Sequence, residues 1–214
     1  MIPYILFASK KIKTIETTIN TELKLVSRWL QHNRLSLNEG KTELIFFHSI
    51  HHKLDYDSIS IKLNGIKLTR VTCVKYLGMY LDENLNWNEH VSQLSKKLSR
   101  ANGILSKLRY NAPLNVLLQV YHSIFYTHLY YGCNLWGFTL KSNLDHIQVL
   151  QNKCLRILTF ADFKSNVDHL YPKLGLLKVS EVIKLSQLKL SFESYHLYLL
   201  MTYQVHFPLS SSRR

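Results

Sequence analysis

Apolar residues recur along this chain at two periods, and the change from one to the other falls near residue 82. Ile12, Ile15, Ile19, Leu23, Val26 and Leu30 follow helical spacing with Lys13, Glu16, Glu22 and Lys24 between them. That spacing predicts an amphipathic helix starting after residue 10 and ending near His32. Asn38 and Gly40 are turn residues ahead of the apolar run Leu44 to Phe47, which predicts a loop feeding a buried strand. Ile59, Ile61 and Leu63 then alternate with polar residues up to Asn64-Gly65, and Ile66 and Leu68 resume the alternation. A two-residue type I′ turn needs positive φ at both positions, so Asn-Gly between alternating runs predicts a hairpin. The run CVKYLGMYLD reads as a further strand containing Gly78, and glycine weakens a strand unless another backbone or a ligand comes close.

After Asp82 the period is helical. Trp87, Val91, Leu94, Leu98, Ala101, Leu105 and Leu108 predict a helix from Trp87 to Leu108, with Asn86 as its cap and Glu89 as its third residue. Pro113 opens a second pattern carrying Val116, Val120, Ile124 and Phe125. Leu144, Ile147, Leu150, Cys154 and Leu158 form a third, and Leu185, Leu188, Phe192, Tyr195 and Leu199 a fourth. The fold class is therefore α+β: a small, mainly antiparallel sheet with a packed helix in front and helices only behind.

The chain is 46% hydrophobic and 19% charged over 214 residues, enough to bury a sizeable core. Lys and Arg total 27 against 14 acids, a formal net charge of +13, and such an excess points to a polyanionic partner, nucleic acid or an anionic membrane surface. Cys73, Cys133 and Cys154 are odd in number, widely spaced and without a CxxC pair, which argues against a disulfide framework and a structural zinc site. An intracellular location, cytoplasmic or nuclear rather than secreted, is expected. Tyr110 to Leu140 contains no charged side chain, but His122, His128, Gln119, Asn115 and Asn134 interrupt it, which favours a buried bundle helix over a membrane span.

Lys96, Lys97, Arg100, Lys107 and Arg109 lie off the apolar stripe of the Trp87 helix, and no acid occurs between Glu89 and Asp145. A solvated face would ordinarily interleave acids at i,i+4, so this face suits phosphate contact. His48, His51 and His52 lack a cysteine or carboxylate at ligand spacing and are read as surface residues. Tyr121, Tyr126, Tyr130, Tyr131 and Trp136 sit in so apolar a segment that core packing outweighs base stacking. Asp55 and Asp57 flank Tyr56 in a polar loop, a poor setting for the paired carboxylates that two-metal chemistry requires. No complete catalytic constellation and no metal site is predicted.

In order and spacing, RLSLNEGKTELIFF, ISIKLNG, VKYLGMYLDENLNWNEHV and LRYNAP resemble the reverse transcriptases of non-LTR (LINE-like) retrotransposons, particularly the jockey group, from about Leu6 to His196. The resemblance implies that residues 1–82 are part of a polymerase palm, that 83–112 hold a thumb-like helix, and that 113–214 are a helical C-terminal region. It implies that Lys41 assists proton transfer to the leaving pyrophosphate, and that VKYLGMYLD is a primer-grip hairpin in which Tyr76, Leu77 and Gly78 approach nucleic acid. Lys96, Lys97, Arg100, Lys107 and Arg109 would then track an RNA/DNA template–primer duplex by its backbone. No Asp-Asp box stands before Ile5 to Phe7, where the family carries one. The intact family enzyme uses Mg2+; for this chain no cofactor and no small-molecule substrate is expected, and the chain reads as a truncated polymerase that binds template–primer without extending it. Two alternatives stay open: the C-terminal part of an active enzyme whose start is mispredicted, and a membrane or protein-interaction module built on Tyr110 to Leu140.

Overall fold

The computed structural model describes residues 5–35, 42–51, 55, 56 and 58–206, with side chains up to 196. Lys41, His52, Asp57 and Leu199, singled out above, lie outside the described residues or side chains. The chain divides into two compact units, Met1–Leu85 and Asn86–Arg214. It is α+β, helices dominating and strands short.

In the first unit α1 (Ile12–His32) begins and ends where its pattern predicts. Leu23 is buried among Ile59, Ile61, Leu63 and Leu68, and Ile12 and Ile19 pack at the rim. Polar groups of α1 also serve the strand beside it. Asn20 Nδ2 donates to the Ser60 carbonyl at 3.0 Å while its Oδ1 accepts from Lys62 N–H at 2.9 Å, and Glu16 Oε1 accepts from Ser60 N–H at 3.0 Å. Helix side chains thus stand in for a neighbouring strand, giving main-chain groups the partners they require.

β1 (Glu43–Leu44) corrects the buried strand predicted over Leu44 to Phe47: it shares only Leu44 with that run, is exposed to half-buried, and pairs in parallel with β4 (Thr69–Arg70). β2 (Lys62–Leu63) and β3 (Ile66–Lys67) form the predicted hairpin, with φ of 51° at Asn64 and 87° at Gly65. The spacing-based reading of CVKYLGMYLD as a single strand is corrected to a hairpin, the form the resemblance implies. It is not one strand but two, β5 (Cys73–Tyr76) and β6 (Met79–Asp82), antiparallel with Tyr76 opposite Met79. Leu77 at φ 45° and Gly78 at φ 82° make the turn, so positive φ explains this glycine without a ligand. The predicted single sheet is likewise corrected to three two-stranded ladders among the described residues, because turns interrupt each strand after a few residues.

The second unit is helical: α2 (Asn88–Leu108), α3 (Leu114–Val120), a π-helical segment Tyr121–Tyr126, α4 (Thr127–Tyr130), α5 (Cys133–Trp136), α6 (Lys141–Thr159), α7 (Leu170–Leu174) and α8 (Val179–His206). Val91, Leu94, Leu98, Ala101 and Leu105 of α2 face Tyr121, Phe125, Cys154, Leu155 and Leu158 in one core. Asn86 caps α2 in a displaced way: Trp87, at φ 66°, precedes the first helical residue, and Asn86 Oδ1 accepts from Asn88 N–H at 2.9 Å.

Two predicted stripes move. After Pro113 the core side chains are Leu117, Tyr121, Phe125 and Leu129, while Val116 is exposed and Val120 and Ile124 are half-buried. Steps of four drift by about 40° per step in a regular α-helix; the π-helical segment winds more slowly and holds them in line. In α8 the packed residues are Val179, Val182, Ile183 and Ser186, whereas the predicted Leu188, Phe192 and Tyr195 are exposed. Tyr110 to Leu140 is not one bundle helix: Gly132 at φ 63° separates α4 from α5. Among the described residues no helix is long and apolar enough to cross a membrane.

A buried polar network pins α6 to its neighbours. Gln151 is fully buried, and its Nε2 donates to the Tyr121 hydroxyl at 3.0 Å and the Leu177 carbonyl at 2.8 Å. Gln148 Oε1 accepts from Val179 N–H at 3.0 Å, so the start of α8 is fixed as well. Burial pushes the Tyr121 and Tyr171 phenols and the Cys133 and Cys154 thiols up, so these groups stay protonated. Cys133 and Cys154, neither of them in a disulfide, are core residues rather than nucleophiles.

Candidate nucleic-acid interface

The five cations on and after α2 separate into three settings. Lys96, Arg100 and Lys107 are exposed and share about 40° of helical arc opposite Leu94, Leu98 and Leu105, spaced over about 16 Å along the axis. Gly103 lies within about 20° of this arc, and a Cβ built there meets nothing within 4 Å, so an approaching backbone finds open space between Arg100 and Lys107. The acid on this arc is Glu89, an axial turn or more before Lys96, where its Oε1 accepts from Gln93 Nε2 at 2.8 Å. The stripe can neutralise successive phosphates without internal competition.

Lys97 stands at the flank of α2, between the stripe and the core. Burial, and then the Lys97 charge, hold His90 down to about 4 and His128 below its usual value. His90 is buried with its ring 6.1 Å from that of Trp87 and 6.0 Å from that of Trp136. Both imidazoles are therefore neutral at physiological pH and leave the positive charge here to Lys97.

Arg109 differs again. It is half-buried, its guanidinium lies 3.9 Å over the Phe160 ring and 5.1 Å from the Tyr110 ring, and its Nε is buried without a hydrogen-bond partner. Spacing grouped Arg109 with the other four cations; three-dimensional packing removes it from their face. Nothing in the sequence pairs Tyr110 with Phe160, fifty positions away, and so this cluster escapes sequence reasoning.

In the first unit Tyr76, Leu77 and Gly78 come together at the tip of the β5–β6 hairpin, with Leu77 and Gly78 exposed. Along the same hairpin Lys75 Nζ lies 5.7 Å from the Tyr80 ring. The histidine cluster is not a uniform surface group. His48 is half-buried, its Nε2 is 2.6 Å from the Tyr56 hydroxyl and 3.7 Å from Glu83, while His51 is exposed. Arg70 pairs with Glu83 and lies 3.4 Å over Tyr56, completing a polar knot that ties β4 to the end of β6. Among the described residues no three His, Cys, Asp or Glu side chains gather to hold a metal ion. Of the aromatic residues weighed for stacking, Tyr121 and Trp136 are fully buried, Tyr126 and Tyr130 half-buried, and Tyr131 exposed.

No protein-family model and no solved structure matches the chain. Among curated proteins it is 26% identical over 180 residues to the RNA-directed DNA polymerase from mobile element jockey of Drosophila melanogaster, covering 80% of this chain and 19% of that one. It is 30% identical over 130 residues to the probable RNA-directed DNA polymerase from transposon BS of Drosophila melanogaster, covering 58% of this chain and 14% of that one. To the jockey polymerase of Drosophila funebris it is 27% identical over 172 residues, covering 76% and 18% respectively. The chain spans less than one-fifth of the length of the curated relatives it matches. It is homologous to a segment of the RNA-directed DNA polymerases, that is the reverse transcriptases, of jockey-like non-LTR retrotransposons.

Proposed function

We propose that this chain is a nucleic-acid-holding part of a non-LTR retrotransposon reverse transcriptase, that α2 tracks the backbone of a template–primer duplex, and that the isolated chain does not polymerise. The observation that carries the reading is the exposed arc of Lys96, Arg100 and Lys107 in a stretch free of acids from His90 to Leu144. Such an arc binds by phosphate neutralisation and counterion release, without reading sequence. The hairpin tip at Tyr76, Leu77 and Gly78 is the proposed contact of the first unit, and Lys41 the proposed proton donor of the intact enzyme. Absence of polymerisation rests on the sequence: it contains no Asp-Asp pair, and the two-metal chemistry of phosphoryl transfer needs closely placed carboxylates.

Filter binding of the full chain to an RNA/DNA hybrid at increasing salt tests the reading. Affinity should fall linearly on a log–log plot, and replacing Lys96, Arg100 and Lys107 together by alanine should reduce the slope by about 2 to 3. A salt-independent affinity, or a slope the triple variant leaves unchanged, would overturn it. Primer extension with Mg2+ tests the second half, and incorporation above the blank would contradict it.

A further inference from the structure

Where α2 and α6 end, two aromatic rings stand in solvent around a fixed cation. Tyr110 is 74% exposed and Phe160 53%, the ring centroids are 5.7 Å apart at 75°, and the Arg109 guanidinium lies against Phe160. Packing alone does not explain the pair, because each residue keeps more than half of its surface in water. Nor does helix termination. Phe160 has φ 56° at the end of α6, and Ala161 N–H closes the turn on the Arg156 carbonyl at 3.1 Å. That position ordinarily takes glycine or asparagine, and a bulky side chain there is strained. Local strain of this kind concentrates at functional sites. Here it turns a ring outward over an arginine that has lost a hydrogen-bond partner to burial.

We propose that Phe160 and Tyr110, braced by Arg109, form a stacking platform for an unpaired base of a single-stranded polynucleotide. Every base offers a π-face, so the platform is sequence-tolerant, and a cation within it suits the adjoining phosphates. The proposal shares with the preceding reading the premise of a polynucleotide partner, but it rests on rings rather than on the lysine arc, and the two fail separately.

The test uses the full chain and a 12-residue single strand with 2-aminopurine at its centre, as DNA and as RNA of the same sequence. Stacking should quench the fluorophore. Phe160→Gly should preserve the fold, since glycine suits φ 56°, and combined with Tyr110→Ala it should relieve the quench and weaken single-strand binding about tenfold or more. Hybrid-duplex affinity and the salt slope should stay as in the parent, whereas the Lys96, Arg100 and Lys107 variant should lose duplex binding and keep the quench. The platform is refuted if the parent does not quench the probe, if the ring variant binds and quenches as the parent does, or if it loses duplex and single strand equally. It is refuted also if the ring variant instead loses co-sedimentation with anionic vesicles while its oligonucleotide binding is unchanged.

Discussion

The two units hold themselves together differently. The core of the second joins 23 buried side chains from α2 to the start of α8; that of the first has Leu23, Ile59, Ile61, Leu63 and Leu68 among its described residues. In the first unit polar contacts from α1 and the His48, Tyr56, Arg70 and Glu83 knot add to that packing. The lesson is that short strands can be specified by hydrogen bonds at their edges, whereas helices are specified by the face they bury.

The largest test of that contrast is Trp136→Ala. The indole is fully buried and its Nε1 donates to the Tyr131 carbonyl at 3.0 Å, so truncation should cost about 3–5 kcal/mol. Hydrogen exchange should show peptides from 86–196 losing protection while those from 12–84 keep theirs. Equal loss in both would break the comparison.

A smaller effect comes from His90. Its folded value of about 4 lies below the ordinary 6.5, so the unfolded chain takes up the proton first. The contribution of the neutral, buried imidazole is therefore complete above pH 6.5 and is lost as pH falls toward 4, on the order of 1–2 kcal/mol after allowance for its partial solvent contact. Urea unfolding of the parent and of His90→Gln across that range should give a difference that narrows toward acid; a constant difference would show that His90 does not titrate as described. The smallest effect is expected in the first unit. Asn20→Ala removes two edge hydrogen bonds at a partly exposed site and should cost about 1 kcal/mol, read as faster exchange of the Lys62 amide. Unchanged exchange would mean that packing, not the asparagine, holds that edge.

Much of this architecture was legible in the sequence. α1, α2 and the Asn64-Gly65 hairpin follow from spacing and turn chemistry because local preference and burial agree there. The exposure of three cations could be read for the same reason, since Lys96, Arg100 and Lys107 fall opposite a regular apolar stripe. What was missed depends on events the local pattern does not encode. The turn at Leu77-Gly78 was read as the interior of a strand because a two-residue turn with leucine first lacks the Asn-Gly signature. The stripe after Pro113 was started one residue early because Val116, Leu117 and Leu118 are all apolar and spacing alone does not choose among them. Arg109 was grouped with its neighbours because only the fold brings Phe160 to it.

The π-helical segment Tyr121–Tyr126 has a consequence for comparing this chain with its relatives. Each i→i+5 ring spans one residue more than an α-helical ring, so a relative one residue shorter here could continue as plain α-helix with every amide still paired. Six residues wound at about 80° each turn through nearly the same angle as five α-helical residues, so its side chains beyond the gap would keep the direction they have here. A one-residue gap in this stretch would thus leave the buried face that carries Leu129 in place, and it marks the loss of a π-helical turn rather than a change of helix phase.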